Sequence, residues 1–244
     1  MNNVYAPTAG EIAREAGQFL KHFSDHHRLA VERKGSDFDF VTNADRESQR
    51  LIRERLREAW PDHRFVGEED GLSDAEVAKI LYSGEYCWVC DPLDGTVNYI
   101  HHLPLYAVSI GLVKDGAALA GAIYLPEADE LFLAERGQGA TLNGRPIHAS
   151  ACPDLRHAFI SADMAAADLG RRQENLARIA RVVQAAGGRA DAGLGLRGHR
   201  PHRLRAAGRL LEFGSARLGR GGGHRAASGG RRRGDGRVLQ SLFL

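Results

Sequence analysis

Apolar residues recur at helical spacing near the start of the chain, where Ile12, Ala16, Phe19, Leu20 and Phe23 share one face. That period predicts an α-helix over residues 9–23. Thr8-Ala9-Gly10-Glu11 has capping-box spacing and marks its predicted start. A second helix is predicted over residues 43–60, with Ala44, Ser48, Leu51, Ile52, Leu56 and Ala59 on one face and Pro61 as its stop. Beyond it the period changes. Arg64 to Gly67, Tyr86 to Cys90, Ala107 to Val113, Ala117 to Leu125 and Glu130 to Ala134 read as strands. Asp115-Gly116 is a tight-turn signal between two of them, and Asn143-Gly144 is another, between Ala140-Thr141-Leu142 and Arg145-Pro146-Ile147. A third helix is predicted from Arg171 to Ala185, with Leu176, Ile179, Ala180 and Val183 turned inward. Helices, then hairpin-linked strands, then another helix predict a layered α+β or mixed α/β architecture.

The pattern fails beyond about Arg189. Residues 190–244 contain no Lys, Ile, Tyr, Trp, Thr, Asn or Met, and read as low-complexity and disordered. The chain therefore divides into an N-terminal α+β domain (1–150), the start of a second α/β domain (151–189) and an anomalous Arg/Gly-rich segment (190–244). Charge follows the same boundary. The last segment carries twelve arginines against three acids, whereas residues 1–189 carry 21 basic and 28 acidic side chains. An acidic body suits a cation-binding protein, and a basic tail alone could contact nucleic acid. No apolar run reaches the roughly 18 residues of a membrane span, and the N-terminus does not have the pattern of a signal peptide. Cys87, Cys90 and Cys152 make no disulfide framework, so the reducing cytoplasm is the expected compartment.

Asp91-Pro92-Leu93-Asp94-Gly95-Thr96 follows the apolar strand Tyr86–Cys90. A strand that stops at Asp-Pro delivers its first carboxylate at the sheet edge; Pro92 fixes the backbone and Gly95 permits a sharp turn. Two carboxylates meeting across such a turn repel unless a cation lies between them, and hard oxygens favour Mg²⁺ or Ca²⁺. A surface turn with two solvated aspartates fits these residues equally well. Gly67-Glu68-Glu69-Asp70-Gly71, taken alone, reads as a solvated acidic loop. Asp45, three residues after Thr42, reads as a helix cap, and Lys34 as a surface lysine. Cys87 and Cys90 fall on opposite faces of a strand, which argues against a redox or zinc pair. His101 reads as structural, and His26-His27 as surface.

The combination is more specific than its parts. Asp-Pro-Leu-Asp-Gly-Thr-Val-Asn-Tyr, followed by Pro104 and Val108-Ser109-Ile110, resembles the signature of the inositol monophosphatase family. Val41-Thr42-x-x-Asp45, Gly67-Glu68-Glu69 and the Leu142-Asn143-Gly144 hairpin match other family motifs in the right order, over roughly residues 8–185. The resemblance implies a layered α/β/α/β/α sandwich and hydrolysis of a small phosphate monoester with two or three Mg²⁺ ions. Lithium inhibition and a homodimer are implied with it. By its motifs, Glu68, Asp91 and the Leu93 carbonyl hold one ion, and Asp91 and Asp94 share another. Thr96 and Asp45 orient the attacking water beside Glu68. The N–H groups of Gly95 and Thr96 hold the phosphate, and Lys34 and Glu69 support the site. The implied substrate is a small phosphorylated polyol, foremost myo-inositol 1-phosphate. The rivals are fructose 1,6-bisphosphate, histidinol phosphate, a 3′,5′-bisphosphate nucleotide, or a degenerate member that binds RNA through its basic tail.

Two family blocks are missing as written: Gly-Ser-Ala-Ala-(Leu/Ile)-Asp-Leu and, further on, Trp-Asp-Val-Ala-Ala-Gly, whose Asp completes the second metal site. A one-base shift of reading frame permits WGSAAIDL between Leu194 and His202, and WDVAAG between Leu218 and His224. Ala206 to Leu210 is family-like in the written frame, so the frame is crossed more than once. We therefore read the arginine-rich segment as out-of-frame translation rather than a nucleic-acid site. A chain that exists as written is expected to have weak activity or none. Resequencing the DNA from codon 180 past the stop is expected to find gained or lost bases that restore both blocks; an unchanged reading contradicts this.

Overall fold

The computed structural model describes residues 5–33 and 40–148, two short strands at 160–161 and 190–191, and parts of the stretch 173–184. The first helix, α1 (Tyr5–His26), starts four residues earlier than predicted. Pro7 lies in its first turn, where a residue without an N–H loses no helical bond, so Thr8 is interior and caps nothing. Ala6, Ala9, Ala13, Ala16 and Gly17 make a small-residue stripe that lets α1 lie close on the sheet. A Cβ at Gly17 would come within 2.5 Å of the Tyr124 ring.

Strands β1 (Val31–Arg33) and β2 (Phe40–Thr42) form an antiparallel pair that leads into α2 (Asn43–Ala59). Thr42 caps α2 in a capping box with Asp45, a device that contributes about 1 kcal/mol. Ala44, Ser48, Ile52 and Leu56 are buried as predicted, whereas Ala59 is exposed in the last turn. There follow β3 (Arg64–Gly67), a 3₁₀ turn at Glu68–Asp70, α3 (Asp74–Leu81), β4 (Tyr86–Asp94) and α4 (Thr96–Ile100). Then β5 (Ala107–Lys114), β6 (Ala117–Leu125), β7 (Glu130–Glu135), β8 (Gly139–Leu142) and β9 (Arg145–Ile147) run as a meander.

These seven strands form one sheet in the order β3-β4-β5-β6-β7-β8-β9. Only the β3–β4 pair is parallel. Both predicted tight turns are present, with positive φ at Asp115 and Gly116 and at Asn143 and Gly144. Helices α1 and α2 cover one face, over Trp88, Cys90, Val108, Ile110, Leu112, Ala120, Ala122 and Tyr124. Helix α3 covers part of the other, where Val77 and Leu81 meet Val66, Cys87, Val89 and Val113. Cys87 and Cys90 thus sit in different cores as free thiols, and burial raises the Cys87 thiol to about 12. Ile160–Ser161 and Ala190–Asp191 pair in parallel as a separate two-stranded sheet. In the stretch predicted as a third helix the described residues are helical; of the face expected to turn inward, Leu176 is 48% exposed, Ala180 is exposed and Ile179 is partly buried. Val183 and the segment 192–244 lie outside the described residues.

At the edge of the main core, His63 stacks on Trp60 and Tyr86 with ring centroids 5.9 and 4.8 Å away, and lies 6.2 Å from Trp88. Burial lowers its pKa, only partly opposed by Asp62. A base with a depressed native pKa is neutral in the fold and takes up its proton more readily when unfolded. Its contribution to stability is therefore present above about pH 6.5 and is lost as the pH falls through the native value. The chain has two tryptophans and both touch His63. Intrinsic fluorescence is expected to titrate with a midpoint below about 6.5, and His63→Phe is expected to abolish that transition. A midpoint at or above the free value contradicts the reading.

Candidate active site

Strands β3 and β4 run side by side in the same direction, with Gly67 opposite Cys90. The next residue of each chain is a carboxylate, Glu68 and Asp91. Strand β3 ends at Gly67 while β4 continues to Asp94, so Glu68 leaves its strand level with Asp91, where the parallel pairing stops. The buried Cys90 thiol reports this: its pKa is raised well above the ordinary value, by burial first and then by Asp91, Glu68 and Asp70.

Asp94 joins them through a bulge. Asp91 pairs with Ser109 and Asp94 with Ala107, so β4 uses three steps where β5 uses two. In a regular strand residues three apart face opposite sides, and the inserted residue restores a common face. Pro92 occupies the bulge, where its missing N–H costs no ladder bond. Its carbonyl accepts from Ser48 Oγ at 3.0 Å, and Leu93 N–H donates to Asp91 Oδ1 at 3.2 Å. Gly95 then turns at φ 94°, a region that favours glycine, and a Cβ there would lie 2.8 Å from the Leu105 carbonyl. The turn starts α4 at Thr96, and Tyr99 Oη anchors that helix to the Leu20 carbonyl of α1 at 2.6 Å.

Asp45 is 1% exposed, so both oxygens need partners. Oδ2 accepts from Thr42 N–H at 2.8 Å and from the Thr42 hydroxyl. Oδ1 lies 3.1 Å from Thr96 Oγ1, which is also 3.1 Å from the Leu93 carbonyl. Asp45 therefore caps α2 with one oxygen and reaches Thr96 with the other. The cap reading and the pair implied by the resemblance are both present.

Three further residues contribute that the sequence did not single out as site residues. Gln49 accepts from Glu69 N–H at 2.9 Å and donates to Asp70 at 3.0 Å. Ser48 holds Pro92. Ser109, opposite Asp91, is 1% exposed with a hydroxyl that finds no partner among the described residues. The helical period could have flagged Ser48 and Gln49, because polar residues on a buried face need partners. Lys34 lies outside the described residues.

Glu68, Asp91, Asp94 and the Leu93 carbonyl offer only hard oxygens, which suits a hard divalent cation. Among the described residues no three His, Cys, Asp or Glu side chains are closed into a ready cage. The donors fit the ion by type.

A family model described as the inositol monophosphatase family matches residues 1–202. The Aquifex aeolicus protein named fructose-1,6-bisphosphatase/inositol-1-monophosphatase is 40% identical over 157 residues, 64% of this chain and 56% of that protein. An inositol-1-monophosphatase of Mesorhizobium japonicum is 40% identical over 136 residues, 55% of this chain and 48% of that one. The chain thus spans about half the length of these relatives. Among solved structures, the extragenic suppressor protein suhB of Bartonella henselae superposes with TM-score 0.66 at 31% identity, over 78% of this chain and 70% of that one. The inositol monophosphatase of Anabaena gives 0.60 at 30% identity, over 78% and 65%. Motifs, sheet and matches together place the chain in the inositol monophosphatase family.

Proposed function

We propose that this chain is a Mg²⁺-dependent phosphatase that hydrolyses a small phosphate monoester, with myo-inositol 1-phosphate as its substrate. The observation that carries the reading is the shared edge of β3 and β4, where Glu68 and Asp91 emerge together. Glu68, Asp91 and the Leu93 carbonyl would hold one ion, and Asp91 with Asp94 another. Bound divalent ions lower the pKa of a coordinated water and neutralise charge on the phosphoryl oxygens.

The protein's own part is orientation. When the Thr96 proton points to Asp45 Oδ1, the hydroxyl keeps a lone pair to accept a hydrogen bond from the attacking water. Asp45 is fixed by Thr42, so it holds Thr96 in that role without moving. The N–H groups of Gly95 and Thr96 would bind the phosphate, and Glu68 would lie beside the attacking water. Lys34 would supply positive charge to the ester.

Phosphate release from a panel of myo-inositol 1-phosphate, fructose 1,6-bisphosphate, histidinol phosphate and a 3′,5′-bisphosphate nucleotide tests both class and substrate. The frame-restored chain is expected to prefer the inositol ester and the written chain to be weak or inactive. Asp91→Asn is expected to lower kcat/KM by at least about 100-fold, and Thr96→Ala by on the order of 100-fold through loss of water orientation. Full activity in Asp91→Asn, or no release from any ester by the restored chain, would sink the proposal. Steeply salt-dependent RNA binding without Mg²⁺-dependent release would favour the arginine-rich tail as the functional part.

A further inference from the structure

Helix α2 reaches the proposed site with three side chains spaced along one face: Asp45 to Thr96, Ser48 to Pro92, and Gln49 to the acidic turn. The third contact is the densest. Gln49 is 6% exposed, and both ends of its amide are used. Its Oε1 accepts from Glu69 N–H at 2.9 Å, and its Nε2 donates to Asp70 Oδ1 at 3.0 Å. Asp70 closes the turn from within, since its Oδ2 accepts from Gly67 N–H at 2.9 Å, and Arg53 pairs with the same carboxylate. The fit is tight, because a Cβ on Gly67 would lie 2.0 Å from Gln49 Oε1.

The chain on both sides of Glu68 is therefore fixed by one amide: Gly67 by close contact and through Asp70, Glu69 directly. The amide meets both demands, with a donor at one end and an acceptor at the other. A carboxylate has no donor for Asp70, and a hydrocarbon satisfies neither partner. We infer that Gln49 is a positioning residue for Glu68, which sets the affinity of the site for its divalent ion. This rests on the reading that Glu68 is a ligand. Side chains that orient ligands without touching the ion change affinity by about 10–100-fold when removed.

The test is a Mn²⁺ titration of the full chain, with free Mn²⁺ read by electron paramagnetic resonance and fold by near-UV circular dichroism. Gln49→Met keeps the volume and removes both hydrogen bonds. Gly67→Ala leaves Gln49 in place but pushes its amide away. Each is expected to weaken Mn²⁺ binding about 10–100-fold while remaining folded. In an active chain, the half-saturating Mg²⁺ concentration should rise with little change in kcat at saturation. Two folded variants with wild-type affinity overturn the inference. So does loss of fold in both, which would make Gln49 a purely structural residue. Wild-type protein that binds no Mn²⁺ overturns the site itself, and the inference with it.

Discussion

The parallel register of β3 on β4 is the constraint from which the site follows. With Gly67 opposite Cys90, Glu68 leaves β3 level with Asp91 of β4. A shift of one residue would move one carboxylate to the other face of the sheet. Burial protects this register, since Val66, Val89 and Cys90 are fully buried on either side of the pair. The rest of the sheet is antiparallel, and β5 to β9 are joined by short turns, whereas β3 reaches β4 through α3 and β4 reaches β5 through α4. Like charges collected at one edge oppose the fold unless hydrogen bonds or a cation offset them.

Helix α2 offsets part of that cost. Its buried polar residues look misplaced in a hydrophobic pattern, yet each holds a different part of the site. Asp45 joins the cap of its own helix to Thr96, Ser48 fixes the bulge at Pro92, and Gln49 braces the acidic turn. A buried polar group left unpaired costs roughly 1–3 kcal/mol, so the face of α2 specifies where the two acidic loops must lie. The same rule makes the unpartnered Ser109 hydroxyl, opposite Asp91, notable.

Much of this was legible in the sequence. Strands β3 and β6 matched their predicted limits, and both Asx-Gly turns appeared where φ must be positive. The acidic motifs identified the family because their order and residue types are specific. The early start of α1 was missed because Thr8-x-x-Glu11 mimics a capping box while Pro7 permits helix before it. Helix α3 was overlooked because eight residues hold little more than two turns of periodicity. Strand β4 was cut short at Cys90, since Asp-Pro reads as a stop and the bulge carries the strand through it. The helical period puts Gln49 on the buried face, but its partners come from another loop, which no local pattern encodes.

The central claim is that Glu68 and Asp91 form one cation site where the parallel pairing of β3 and β4 stops. Anomalous diffraction from a Mn²⁺-soaked crystal measures it directly. The account predicts a manganese peak within about 2.5 Å of a carboxylate oxygen of each residue. A peak bound by neither, or none at saturating Mn²⁺, would contradict it.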